Sequence, residues 1–260
     1  AEGRQTFAAD VSGDGADDLI LLAHDGEDLS FLLVADGQGG FYDAVSLEDV
    51  STLNTSDWAL DGHRPAFGDF NGDGVTDVFL QANTTSGSTY MALGDGVDGF
   101  DVLDITEHTT MNAEKWSVEW REPHVADLNG DGVSDLILQT RFEGHATYIL
   151  LGDGFGDFAP ELVATDLFGM DTDAWSFVYR QGVVGDFDGD GCHDLALIGK
   201  ETGAQTLLLR ADGDGGFEAK RVVTDHHVMS SALWSTSRHA LGVGAFEELG
   251  THQLLSLIHI

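Results

Sequence analysis

An acidic string returns four times at a nearly constant interval. It reads ADVSGDGADDLILL from Ala9, GDFNGDGVTDVFLQ from Gly68, ADLNGDGVSDLILQ from Ala126 and GDFDGDGCHDLALI from Gly185. Its leading aspartates, Asp10, Asp69, Asp127 and Asp186, stand 59, 58 and 59 residues apart. A further step of 59 reaches Ala245 in GAFEELGTHQLLSL, a fifth copy that has lost most of its acids. Two other markers keep the register. DG-rich turns close on Phe41, Phe100, Phe158 and Phe217, and Trp58, Trp116, Trp175 and Trp234 each stand 11 residues before the next leading position. Such a chain folds as a tandem repeat, each copy a supersecondary unit that buries its apolar face against its neighbours.

Each unit reads as short strands joined by turns. One strand, such as Pro65 to Asp69, leads into the acidic loop, and an apolar run (VFLQ, LILQ) follows it. TYMAL or TYILL makes a third strand, and the DG-rich string turns the chain into a fourth. Apolar runs of this length bounded by Gly and Asp are strand signals, and no segment sustains a helical period for ten residues. The expected fold is all-β, a β-propeller of four-stranded blades in one domain over 1–260. Its repeats cover approximately 7–65, 66–123, 124–182 and 183–241, with a degenerate half repeat over 242–260. A sandwich is the alternative, but a sandwich does not require near-identical units. The ending QLLSLIHI reads as an apolar edge strand. It closes a small final blade, pairs with another subunit, or continues into a longer chain.

The acidic loop carries oxygen side chains at positions 1, 3, 5 and 9 and glycine at 6. Alternate residues of a curled loop turn their oxygens to one centre, and several hard anionic ligands favour Ca²⁺. The carbonyl at position 7 is a natural further ligand. An EF-hand would need Glu at position 12, where this chain has Leu21, Leu80, Leu138 and Leu197, and helices on both sides. That reading fails. Cys192 and His193, adjacent in the fourth loop, have no partner at matching spacing and read as incidental.

DFNGDGVTDVFL and DLNGDGVSDLIL, each followed by a GDG…F turn, resemble the FG-GAP/VCBS repeat of integrin α-subunit propellers, bacterial surface proteins and certain fungal lectins. The resemblance extends over nearly the whole chain and implies a calcium loop between the first two strands of each blade. By it, the first loop binds calcium through Asp10, Ser12, Asp14 and Asp18 with the Ala16 carbonyl, and the second through Asp69, Asn71, Asp73 and Asp77 with that of Val75. The third uses Asp127, Asn129, Asp131 and Asp135 with the Val133 carbonyl. The fourth uses Asp186, Asp188, Asp190 and Asp194 with that of Cys192. Up to four structural Ca²⁺ are implied. The fifth copy departs at Ala245, Leu249 and Gln253, and no calcium is expected there.

Composition narrows the partners. Asp and Glu number 46 against 11 Lys and Arg, a net charge of −35, which repels nucleic acid and anionic membranes. No apolar run has membrane-spanning length, so no membrane insertion is expected. A secreted or cell-surface setting fits, because millimolar extracellular calcium would keep even moderate sites filled.

A second pattern surrounds the tryptophans. His63, Arg121, Arg180 and His239 each fall five residues after one; Leu53, Met111, Met170 and Met229 fall five before, followed by Asn54, Asn112, Asp171 and Ser230. One reading is a ligand pocket per unit, formed by Trp58, His63, Trp116, Arg121, Trp175, Arg180, Trp234 and His239. In it the indole stacks on a sugar ring and the polar groups bind hydroxyls. The other reading is a tryptophan packed between blades with its basic companion in an ion pair. No HExxH, G-x-S-x-G or phosphate loop occurs, so catalysis is not expected. The expected function is a lectin-like module for a glycan or glycoprotein. The alternatives are a protein-binding adhesion or scaffold segment of a larger surface protein and a non-catalytic accessory domain of a secreted enzyme; pairing of the terminal strand with another subunit would make a homo-oligomer.

Four acidic loops on so negative a chain make calcium the expected source of stability. Thermal melting in chelator against millimolar calcium should show a steep fall in Tm, and superimposable curves would refute structural calcium.

Overall fold

Val, Leu and Ile without polar alternation make strands buried on both faces, and the runs after the acidic loops behave so. DVFLQA (β6, Asp77–Ala82), DLILQT (β10, Asp135–Thr140) and DLALIG (β14, Asp194–Gly199) are buried at every residue. Each is an inner strand of a four-stranded antiparallel meander. The first meander joins β1 (Gln5–Ala9), β2 (Asp18–Leu22), β3 (Phe31–Leu33) and β4 (Val45–Ser46). The second joins β5 (His63–Gly68), β6, β7 (Tyr90–Gly94) and β8 (Phe100–Asp104). The third joins β9 (Arg121–Ala126), β10, β11 (Tyr148–Leu150) and β12 (Leu162–Val163). The fourth joins β13 (Arg180–Gly185), β14, β15 (Leu207–Ala211) and β16 (Phe217–Val222). A two-stranded sheet of β17 (His239–Ala245) and β18 (His252–Ile258) follows.

This computed structural model describes residues 3–107, 111–164, 167, 170, 172–201, 204–222, 239–245 and 252–258, with backbone alone for 219–221 and the last two strands. Among the described residues no helix is long and apolar enough to cross a membrane. Contacts group the chain into two units, Ala1–Trp120 with Gly152–Pro160, and Arg121–Leu151 with Glu161–Ile260. Each has its own core. In the first, Ile20, Leu22, Leu32, Trp58, Val78 and Leu80 pack together; in the second, Ile137, Ile149, Trp175, Leu195, Leu197 and Leu209 do.

The tryptophans end one-turn helices that precede the meanders: α1 (Thr55–Trp58), α2 (Ala113–Trp116) and α3 (Thr172–Trp175). Asn54 caps α1, its side chain accepting from Ser56 and Asp57 N–H while Asp57 returns a bond to the Asn54 N–H, a capping box. Asn112 caps α2. Each cap turns its indole inward. Trp58 is 1% exposed, and Trp116 and Trp175 are 0% exposed. Trp58 packs on Phe100 (5.4 Å between ring centroids), Trp116 on Phe79 (5.6 Å) and Phe158 (6.1 Å), and Trp175 on Phe217 (6.4 Å). Tryptophan and DG-turn phenylalanine therefore meet in the core at Phe100, Phe158 and Phe217, whereas Phe41 of the first turn is 45% exposed.

Leu53, Met111 and Met170 are buried as well. Trp234, Met229, Asp171 and Ser230 lie outside the described residues.

Truncating a buried aromatic leaves a cavity, so Trp116→Ala should cost about 3–5 kcal/mol. Denaturant unfolding should show this as a lowered midpoint, and a midpoint equal to that of the parent would contradict the packing.

Candidate functional site

Each acidic loop is first a backbone-folding device. In the second loop the Asp69 carboxylate accepts N–H groups from Gly72 (2.7 Å), Asp73 (3.1 Å) and Gly74 (2.8 Å). The same bonds return from Gly130 (2.7 Å), Asp131 (3.2 Å) and Gly132 (3.0 Å) to Asp127, and from Gly189 (2.6 Å) and Gly191 (3.2 Å) to Asp186. In the first loop Asp14 (3.2 Å) and Gly15 (2.9 Å) donate to Asp10. The curl needs left-handed backbone at loop positions 4 and 6, as at Gly72 (φ 74°) and Gly74 (φ 85°), which explains the fixed glycines. Position 5 closes the curl: Asp14, Asp73, Asp131 and Asp190 accept the N–H of Ala16, Val75, Val133 and Cys192.

The ninth position does something the sequence reading did not assign to it. Asp18, Asp77, Asp135 and Asp194 are 0% exposed. Asp77 Oδ2 accepts the Phe70 N–H (2.7 Å) and Oδ1 the Gly94 N–H (2.9 Å). Asp194 likewise takes Phe187 (3.0 Å) and Ala211 (2.9 Å), and Asp18 takes Val11 (3.0 Å) and Ala35 (2.8 Å). Asp135 accepts from Leu128 at 2.8 Å. One carboxylate thus ties the loop, the second strand and the end of the third. The invariant acid at the head of each apolar run was the available signal.

Consecutive loops are also joined. The Thr76 N–H donates to the Asp10 carbonyl (2.8 Å), and a Cβ at Gly13 would lie 3.0 Å from Val75 Cγ2. In the other unit the His193 N–H donates to the Asp127 carbonyl (2.6 Å), while His193 Nδ1 accepts the Asp127 N–H (3.0 Å). His193 is therefore a loop-to-loop clasp.

Three carboxylates approach one another in the fourth loop. Oxygens of Asp186, Asp188 and Asp194 lie within 4.8 Å of one another, the one such group of three acids among the described residues. There Arg210 bonds Asp188 (3.0 Å) and also pairs with Glu218. In the second and third loops the Asn71 and Asn129 amides donate to Asp73 (2.9 Å) and Asp131 (2.8 Å). In the first, the Ser12 hydroxyl reaches Asp10 at 3.5 Å.

The residues expected to form a sugar pocket separate. Trp58, Trp116 and Trp175 present no face to solvent, so the stacking role expected of them does not hold; they are core. Asn54 and Asn112 are helix caps. The basic position has one backbone role in all three described copies. His63 Nε2 bonds the Ser88 carbonyl (2.9 Å), Arg121 Nε that of Ala146 (3.3 Å) and Arg180 Nε that of Gln205 (3.0 Å). Arg180 also holds the Ala174 carbonyl of α3 (3.1 Å), and Arg121 lies 4.5 Å from the Tyr148 ring centroid. The side chain of His239 lies outside the described residues.

His63 also lines a cavity. The first unit holds one of about 390 Å³, bounded by Gln5, Phe7, Leu60, His63, Arg64, Pro65 and Asn83. Burial lowers the His63 pKa, favouring the neutral imidazole. Its Nδ1 is buried without a hydrogen-bond partner among the described residues. Asn83 Nδ2 is held by the Leu60 (2.8 Å) and Asp61 (3.0 Å) carbonyls.

Burial pushes the Asp77 carboxyl up to about 7 despite the Gly94 and Phe70 N–H groups, with the Asp73 and Asp69 charges adding to the rise. Burial raises Asp194 in the same way. The folded state then holds a proton that the unfolded chain releases near pH 4, so this contribution is complete below about pH 4 and lost as pH rises toward 7. In metal-free protein Tm should fall across that window, with a shallower slope in Asp77→Asn. Parallel slopes for the two proteins would contradict the assignment.

Comparison with known proteins agrees with this geometry. Residues 69–138 and 127–197 match the FG-GAP-like repeat. A search of curated proteins finds none that matches the chain. Among solved structures, the chain resembles an Agrocybe aegerita lectin that specifically recognises non-reducing terminal N-acetylglucosamine. The TM-score is 0.69 at 24% identity, over 98% of this chain and 57% of the lectin chain. It also resembles part of the Photorhabdus luminescens Tc holotoxin pore, with a TM-score of 0.50 at 21% identity over 74% of this chain and 8% of that one. The chain therefore spans little more than half of the lectin, and both likenesses concern the fold. Residues 69–197 thus match FG-GAP-like repeats, and three of the four acidic loops, those led by Asp69, Asp127 and Asp186, lie wholly inside the matched residues.

Proposed function

We propose that this chain is a β-propeller binding module, its meanders serving as blades, that recognises glycans and performs no catalysis. The observation that carries the reading is the cavity beside β1 and β5. Gln5, Arg64 and Asn83 offer it planar amide and guanidinium groups suited to sugar hydroxyls, while Phe7, Leu60 and Pro65 supply apolar wall. The His63 ring completes the wall. The likeness to a lectin fold supports the choice of ligand class and makes a terminal N-acetylglucosamine the first sugar to try.

Calcium belongs to the same proposal as a structural ion. The donor set fits it: carboxylates at positions 1, 3 and 9 of the fourth loop approach one another, and all are oxygen donors. Asp186, Asp188, Asp190 and Asp194 would hold it there, with the corresponding acids, Asn71, Asn129 and Ser12 in the other loops. Bound calcium would neutralise the loop charge and strengthen the folds that backbone N–H groups already impose. A secreted or surface location follows from the need for millimolar calcium.

A glycan array in millimolar calcium tests the function, with Gln5→Ala/Arg64→Ala as the cavity variant. Selective binding that weakens at least about tenfold in the variant, some 1.4 kcal/mol, is the expected outcome. Absence of selective binding to any glycan would reject the lectin reading and leave a protein-binding module.

A further inference from the structure

Residues that break the repeat gather in one groove. Counting from the leading aspartate, Tyr42 corresponds to Asp101, Ala159 and Glu218, and Val97 to Gln38, Phe155 and Asp214. Asp98 stands where the other copies have Gly39, Gly156 and Gly215, and Asp43 corresponds to Val102, Pro160 and Ala219. The meander therefore forms without these side chains. In the first unit they nonetheless meet, with Val34 and Val45, around a groove of about 210 Å³.

Two features of the groove suit a covering partner. Tyr42 and Val97 are each 64% exposed, an apolar pair turned to water. The Asp43 and Asp98 carboxylates have no hydrogen bond or ion pair among the described residues. The Tyr42 N–H donates to the Val34 carbonyl (2.9 Å), which anchors the ring's backbone at the groove wall.

We infer that this groove receives a lysine or arginine side chain from a basic segment of a protein partner. The valines accept the aliphatic stem, the Tyr42 ring the cationic head through its face, and the two carboxylates its N–H donors. The volume suits one long side chain rather than a folded surface. Ionised carboxylates only accept hydrogen bonds, so the polar side chains here suit a donor-only cation better than a sugar ring with mixed donors and acceptors. The net charge of −35 draws basic segments toward the molecule, and the groove selects where one docks. This site shares no residue with the cavity beside β1 and β5.

The test uses N-acetyl-arginine amide and its neutral isostere N-acetyl-citrulline amide, with ring-labelled tyrosines followed by NMR. The Tyr42 signal is identified by its loss in Tyr42→Phe. Arginine amide should shift it saturably, with citrulline amide at least about tenfold weaker. Asp43→Asn/Asp98→Asn should weaken the arginine compound about tenfold, and the charge-matched Glu27→Gln/Asp28→Asn should leave it unchanged. Equal binding of the two compounds, equal loss in the charge-matched variant, or no saturable shift of Tyr42 would each overturn the inference. Glycan binding is unaffected by any of these outcomes.

Discussion

A carboxylate hidden at the foot of each second strand organises everything around it. Asp77 receives N–H groups from the loop that precedes it and from the end of the strand beside it, so three pieces of chain converge on two oxygens. Leaving either N–H buried and unpaired would cost about 1–3 kcal/mol. The charge, however, is expensive in an apolar setting, and the loop adds further acids within bonding range rather than removing them. Backbone N–H groups, the amides of Asn71 and Asn129, and the Arg210 guanidinium all answer that charge. The loops are thus short of positive charge by construction, which is what gives the calcium proposal its physical basis.

Recurrence in sequence shows that a position matters to every unit, but not whether it matters to packing or to binding. Strand order and repeat register were readable because apolar runs, glycines and acids have one geometric use here. The tryptophans were not, since an indole that stacks on a ligand and an indole that packs on Phe100 or Phe217 leave the same periodic trace. Asn54-Thr-Ser-Asp57 carried a usable clue, for it is a capping-box pattern that would have placed Trp58 at the end of a helical turn. The basic residues were ambiguous for another reason. Their partners are backbone carbonyls 25 residues ahead, and a carbonyl has no signature in sequence.

Individual character then resides where the repeats disagree. Asn83 at the cavity in the first unit corresponds to Arg141 and Lys200. In the second unit those two cations gather at Phe177, 5.5 Å and 3.2 Å from its ring centroid, with Glu122 paired to Arg141 at 2.9 Å. One scaffold thereby presents an amide at this position in one place and a cation at the matching position in another. Units that share a backbone need not share a ligand.

The clasp between neighbouring loops has a consequence for how such a chain emerges during synthesis. The Asp10 carbonyl finds its partner only at Thr76, and that of Asp127 only at His193. The first and third loops therefore stay incompletely fastened until the following copy has left the ribosome. At about 5–20 residues per second, a delay of 66 residues is roughly 3–13 s. For these two loops, fastening trails translation by about one repeat.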